Sequence, residues 1–137
     1  MKKHHTIHTY TDGGARGNPG PAAIGVVLKT PNGSIITTHK ECIGSTTNNQ
    51  AEYKALVKAL EMAKEEGAQE VHCYLDSELV VKQLRREYRV KDQELGKLFV
   101  LAWNLGLNFS KVSYTHIRRE FNKEADSLVN QALDAEC

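Results

Sequence analysis

The sequence predicts an α/β domain in which helices pack on a five-stranded mixed sheet, and three observations carry that expectation. Three strand-like segments follow one another over residues 6–43 with short links, as in an antiparallel meander. At about Asn49 the apolar period changes from strand-like to helical. From there strands and helices alternate to the end of the chain, giving the order βββαβααβα.

Each element has a local reason. "TIHTYTD" (6–12) alternates, with Ile7, Thr9 and Thr11 on one face and His8, Tyr10 and Asp12 on the other. "AAIGVVLKT" (22–30) is β-branched and apolar and reads as a second strand. "TPNGS" (30–34) is a turn, in which Pro31 fixes φ and Gly33 is free to take φ > 0. Residues 35–43 form a third strand. From about Asn49 to Glu66, Ala55, Leu56, Ala59, Leu60 and Ala63 make one helical stripe, and Gly67 ends it. "EVHCYLD" (70–76) is a fourth strand. Helices are expected over 77–87 and about 92–106, a fifth strand over 111–117 and a last helix over about 121–134.

At 137 residues the chain is expected to form a single domain, residues 1–137, with its own core. It is 40% hydrophobic and 26% charged, with a net charge of +1, so any basic surface for nucleic acid must be local. The N-terminal "MKKHHTIHTY" is too polar for a signal peptide, and no run of 18 apolar residues suggests a membrane span. Cys42, Cys73 and Cys137 contain no CxxC pair and read as reduced thiols of a cytoplasmic protein, a disulfide through Cys137 being the alternative. "HHTIH" reads as solvated chain and one strand residue rather than a metal site. Nothing in the sequence points to an oligomer, and a monomer is expected.

"YTDGGARGNPG" (10–20) places Asp12 before four glycines. A strand follows, so no helix N-terminus is there to receive a phosphate, and neither GxxxxGK[ST] nor GxGxxG fits. The glycines are expected instead to clear space beside the acid, so that something bulky can approach the backbone. Asp76 ends the fourth strand with a matching pattern: His72, Tyr74 and Asp76 repeat His8, Tyr10 and Asp12. If the two strands are neighbours, both carboxylates emerge at one end. Glu52 lies on the core-facing side of its helix, and Asp126 flanks the stripe Ala125, Leu128, Val129 and Ala132, one turn from Asn122. Plainer readings exist for each: a turn former, a helix cap, a dipole complement, a solvated helix residue. They are independent of one another and do not account for four acids that can face one place. Clustered carboxylates repel unless a cation neutralises them, and all-oxygen ligands suit Mg²⁺ or Mn²⁺. Two such ions can hold an attacking water and a leaving oxygen for phosphodiester hydrolysis.

With these residues in place, "YTDGGARGNPGPAAIGVVL", "TTNNQAEYKAL", "YLDSELVVKQL" and "REFNKEADSLVNQAL" resemble, in order and spacing, the four motifs of type 1 ribonuclease H. The resemblance runs from about Thr6 to Leu133. It implies the ribonuclease H-like fold and metal-dependent endonucleolytic cleavage of the RNA strand of an RNA–DNA hybrid, leaving 5′-phosphate and 3′-hydroxyl ends. It assigns two Mg²⁺ ions, with Mn²⁺ as the alternative, to Asp12, Glu52, Asp76 and Asp126. By the same resemblance Gly13 and Gly14 offer backbone groups to the RNA, Asn48 and Asn49 reach bases and sugars from the minor groove, and Thr47 helps hold a phosphate of the DNA strand. Asn122 is also expected to contact substrate. On residue type alone, Asn48 and Asn49 read equally as a helix cap.

The chain departs from many members in two places. "KQLRREYRVKDQELGKL" is short where bacterial members carry a full basic protrusion, yet keeps Lys82, Arg85, Arg86, Arg89 and Lys91. Arg85, Arg86 and Arg89 are the expected phosphate contacts. "HIRREFNKEAD" resembles the branch with a compact loop and no His at the usual place. Its role passes by expectation to Arg119, with His116 as runner-up; an arginine can stabilise phosphate charge but cannot give up a proton near neutral pH. The alternatives to a hybrid-specific enzyme are a nuclease of the same fold acting also on double-stranded RNA, and a non-catalytic hybrid-binding module.

Overall fold

The computed structural model describes residues 4–135 and 137; Met1–Lys3, part of the polar N-terminal stretch, and Glu136 lie outside them. Strands β1 (Thr6–Ala15), β2 (Gly20–Lys29) and β3 (Ile35–Thr46) form the antiparallel meander. Helix α1 (Asn48–Glu65) follows, then β4 (Glu70–Leu75), α2 (Glu78–Leu84), α3 (Gln93–Gly106), β5 (Lys111–His116), a 3₁₀ turn (Arg119–Phe121) and α4 (Lys123–Ala135). The sheet order is β3-β2-β1-β4-β5, with β1, β4 and β5 mutually parallel. No helix among the described residues is long and apolar enough to cross a membrane.

The sheet divides its side chains between two faces. Ile7, Thr9 and Thr11 turn toward α1 and are fully buried, joined there by Leu56, Leu60, Val71, Cys73 and Leu75. Burying each of the large aliphatic side chains contributes roughly 2 kcal/mol. On the opposite face α4 lays Val129, Ala132 and Leu133 against Ala23. The matching patterns of β1 and β4 lie in register: His8 pairs with His72 and Tyr10 with Tyr74, whose rings stack at 4.9 Å. The ladder ends at Thr11 and Leu75, so Asp12 and Asp76 are the next residues on adjacent strands.

Several boundaries differ from expectation. β1 runs on through Gly13 and Gly14 to Ala15 because β2 continues to pair with it. The space beside Gly13 is not open to a substrate: a Cβ there would come within 2.3 Å of the Ala51 backbone, so the glycine serves the close approach of α1 to β1. Gly25 does the same for α4, whose Ala125 carbonyl would lie 2.4 Å from a Cβ. β3 extends to Thr46, following a bulge opposite Ala22 and Ala23. α2 stops at Leu84, short of the expected 87, and α4 begins at Lys123 rather than at about 121, behind the 3₁₀ turn. The reading of Cys42 and Cys137 as reduced thiols is corrected. They form a disulfide with Cα atoms 5.9 Å apart, tying the C-terminal end of the chain to β3, and Cys73 alone stays a buried thiol. Thiol chemistry therefore no longer argues for a reducing compartment.

Candidate active site

The carboxylates of Asp12, Glu52 and Asp76 place one oxygen each within 4.8 Å of one another. They arrive from three elements: the β1 position where β4 parts from it, the second turn of α1, and the residue after β4. Asp126, in the first turn of α4, comes close enough to Asp12 for the two side chains to share a hydrogen bond. Asp12 is 4% exposed and Glu52 9%. The four acids singled out in the sequence are thus brought together, two of them nearly out of water.

Burial dominates the electrostatics. It pushes the Asp12 carboxyl up to about 8, with further push from the charge of Asp76 and from the contact with Asp126; Arg119 pulls the other way. Glu52 is raised well above the ordinary carboxyl value, first by burial and then by the charges of Asp12 and Asp76, against a single favourable hydrogen bond from the Gly13 amide. A cluster that cannot ionise fully on its own is a cluster that a cation would complete. The donor set is all oxygen, which fits a hard divalent ion and not a thiolate- or imidazole-seeking one.

The neighbours of the acids hold them in place. Gly13 donates its amide to Glu52 Oε1 at 3.1 Å, so that amide is engaged inside the protein rather than offered outward. Asn122, expected to touch substrate, is instead 2% exposed. Its Nδ2 donates to the Thr11 carbonyl at 2.8 Å and to Asp76 Oδ2 at 3.1 Å, which fixes the Asp76 carboxylate against the end of β1. Thr47, and not Asn48 or Asn49, caps α1 by accepting from the Gln50 amide. Asn48 pins the loop after β1: its Oδ1 accepts from the Ala15 amide at 2.8 Å, and its own amide donates to Asn18 Oδ1 at 3.0 Å. Asn49 is exposed and does not line the depression over the acids.

A depression of about 330 Å³ lies over the cluster, lined by Asp12, Gly14, Asn48, Glu52, Arg119 and Asp126 among others. Arg119 sits on the 3₁₀ turn, exposed, and makes no ion pair among the described residues; it is Arg118 that approaches Glu120, at 3.8 Å. His116 is exposed at the end of β5 and is not part of the depression's lining. Of the basic segment, Arg85 is paired with Glu87 at 3.2 Å, whereas Arg86 and Arg89 line a separate groove of about 610 Å³. Asn122 as a brace for Asp76 was missed by sequence reasoning. Its signal was faint: one turn before Asp126, in a segment whose path back to β1 only the fold reveals.

Residues 10–132 match a family described as reverse transcriptase-like. The chain is 45% identical over 128 residues to the ribonuclease HI of Halobacterium salinarum, a match that covers 93% of this chain and 64% of that protein. The crystal structure of RNase H1 from the same archaeon superposes with a TM-score of 0.92 over 94% of this chain and 98% of that one. LC11-RNase H1, isolated from compost and solved in complex with an RNA/DNA hybrid, is 44% identical with a TM-score of 0.90, over 93% of this chain and 96% of that one. The chain spans only about a third (34%) of a bifunctional protein of Mycobacterium tuberculosis to which it is 43% identical over 125 residues, 90% of this chain.

Proposed function

The chain belongs to the ribonuclease H family, in its type 1 branch, and on that premise we propose that it is an endonuclease hydrolysing the RNA strand of RNA–DNA hybrids to 5′-phosphate and 3′-hydroxyl ends. The observation that carries this reading is the convergence of Asp12, Glu52 and Asp76 within 4.8 Å, with Asp126 alongside. These four acids would hold the divalent ions, Mg²⁺ in the first instance and Mn²⁺ as the alternative. When bound, such ions lower the pKa of water for attack and offset charge on the scissile phosphate.

The protein's own groups set the conditions for that chemistry. Asn122 keeps Asp76 in one rotamer, and the Gly13 amide does the same for Glu52, so the donor oxygens do not have to be gathered when substrate arrives. Arg119 lines the depression, makes no ion pair among the described residues, and in this reading offsets charge on a phosphate oxygen. An arginine side chain does not act as a proton donor near neutral pH, so the proton for the departing 3′-oxygen falls to water. Contacts of Asn48 and Asn49 with the minor groove belong to this reading through the resemblance, and discrimination for RNA rests on the 2′-hydroxyl.

A panel of hybrid, double-stranded RNA, single-stranded RNA and double-stranded DNA, each with and without Mg²⁺, tests this. Metal-dependent cleavage of hybrid alone is expected. Equal cleavage of double-stranded RNA would favour the broader nuclease, and binding of hybrid without cleavage the non-catalytic module.

A further inference from the structure

The sheet has two open edges, and the protein guards only one of them. β3 ends the sheet on one side and β5 on the other. An edge strand presents unpaired amides and carbonyls to any extended chain, so proteins usually blunt it with charge or a bulge. β3 has both. It carries His39, Lys40 and Glu41, the first paired with the third at 2.8 Å, and a bulge opposite Ala22 and Ala23. β5 has neither. Between Lys111 and His116 it runs Val112, Ser113, Tyr114 and Thr115, with no charged side chain and an unbroken register against β4.

The two ends of that ladder show which backbone groups of β5 are free. The Lys111 amide donates to the Gln69 carbonyl and the Ile117 amide to the Leu75 carbonyl. Strand bonding repeats every second residue, so Ser113 and Thr115 also face β4, and Val112, Tyr114 and His116 turn their amides and carbonyls outward. Among the described residues no loop or turn backbone meets those outward groups. Beside them lies a depression of about 490 Å³, walled by Leu84 at the end of α2, Trp103 of α3, and Val112 and Tyr114 of β5 itself. Stacking on Phe99, with ring centroids 5.9 Å apart, holds Trp103 in place. Among the described residues no carboxylate lines the depression, and its one cation, Arg85, is paired with Glu87. Lys111 at the start of the strand is exposed and makes no ion pair among the described residues; its cross-strand neighbour Glu70 is taken up by His72 at 2.6 Å. His116 is exposed at the other end.

We infer that β5 is a docking edge for an extended acidic segment of another protein, which adds a sixth strand to the sheet and seats one apolar side chain against Leu84 and Trp103. Backbone hydrogen bonds supply affinity in such pairing, and the pocket supplies selectivity. Lys111 and His116 stand five strand steps apart, about 16 Å, so the segment carries carboxylates five positions apart to meet them. A second copy of this chain fits less well: β5 holds no carboxylate, and two antiparallel β5 strands would set Lys111 against His116. Nucleic-acid phosphates fit less well again, since they lack the donors that the outward carbonyls need. The edge goes beyond the nuclease reading. Its depression shares no lining residue with the one over the acids or with the basic groove.

The test is amide hydrogen exchange of the whole chain in EDTA, alone and with two synthetic nine-residue peptides. Both alternate valine and threonine around a central leucine; one carries two aspartates five positions apart, the other two lysines. In the free protein the Val112, Tyr114 and His116 amides should exchange faster than those of Ser113 and Thr115. The aspartate peptide should slow those three by about 100-fold when present at about 100 times its Kd. The lysine peptide should not. Trp103→Glu should weaken the aspartate peptide about 10-fold or more. Lys111→Glu, on the surface, keeps the test open if Trp103→Glu does not fold, and should reverse the preference between the two peptides. Slowing by neither peptide overturns the docking edge, and equal slowing by both overturns its acidic partner. Slowing that grows with protein concentration alone would make the occupant a second copy, and slowing by hybrid duplex would make it nucleic acid; either result overturns the inference.

Discussion

The acid cluster and the basic groove are both concentrations of like charge, yet the protein treats them in opposite ways. Asp12, Glu52 and Asp76 lie within 4.8 Å of one another, and burial raises the carboxyl pKa of Asp12 and of Glu52. The cations are exposed and spaced along a loop. The first arrangement stores repulsion that only a cation or protons relieve. The second stores little repulsion and waits for a polyanion. The difference separates chemistry from holding: substitutions among the acids should appear in kcat and in metal affinity, and substitutions among the cations in KM and salt dependence.

The strongest way to break that division is Asp76→Asn. It keeps the shape and the Asn122 contact but removes a charge, and the cleavage rate should fall by roughly 10³-fold or more at saturating substrate. Retention of more than about a tenth of the wild-type rate would mean that the cluster does not carry the chemistry. Asn122→Ala sharpens the same point. It keeps all four acids and removes the group that ties Asp76 to the Thr11 carbonyl at the end of β1, so steady-state assays should show kcat or metal affinity down about 10- to 100-fold with KM for hybrid nearly unchanged. A KM effect alone would return Asn122 to the role of substrate contact.

A smaller effect is expected in stability without metal. Asp12 titrates at about 8 in the folded protein, against an ordinary value of 3.8. The native state thus keeps a proton that the unfolded chain has released. Its contribution to stability is present below pH 4 and is lost as pH rises to about 8. Melting in EDTA should show wild type losing stability over that window, and Asp12→Asn should flatten the loss and raise the melting temperature at pH 8. A melting temperature unchanged or lowered by Asp12→Asn at pH 8 would mean that the acids do not repel one another.

How much of this was legible in the sequence follows the same division. The cluster was readable because its geometry follows from strand register: His8, Tyr10 and Asp12 against His72, Tyr74 and Asp76 announce two parallel neighbours with carboxylates at one end. Glu52 followed from helical period. What could not be read depends on contacts across the fold. Gly13 is glycine because α1 crosses it, Asn122 reaches Asp76 across 46 positions, and Cys42 meets Cys137 across 95. Thr47 rather than Asn48 caps α1 because Asn48 is taken up by Ala15 and Asn18 of the first turn. The groove was visible only as a run of basic residues. That Arg85 pairs with Glu87 while Arg86 and Arg89 line the groove follows from the path of the loop after α2, which the sequence does not announce.

Asp12, its carboxyl pushed up to about 8, and Glu52, raised by burial, are the acids that must lose protons for a divalent ion to complete the cluster. The most direct measurement is calorimetric titration of Mg²⁺ into the metal-free protein at pH 7, in two buffers of different ionisation enthalpy. Ion binding should release protons, because ligand oxygens must ionise to take the metal, and Asp12→Asn should both weaken binding and reduce the number released. Binding of Mg²⁺ with no proton release, or with release unaltered by Asp12→Asn, would contradict the account.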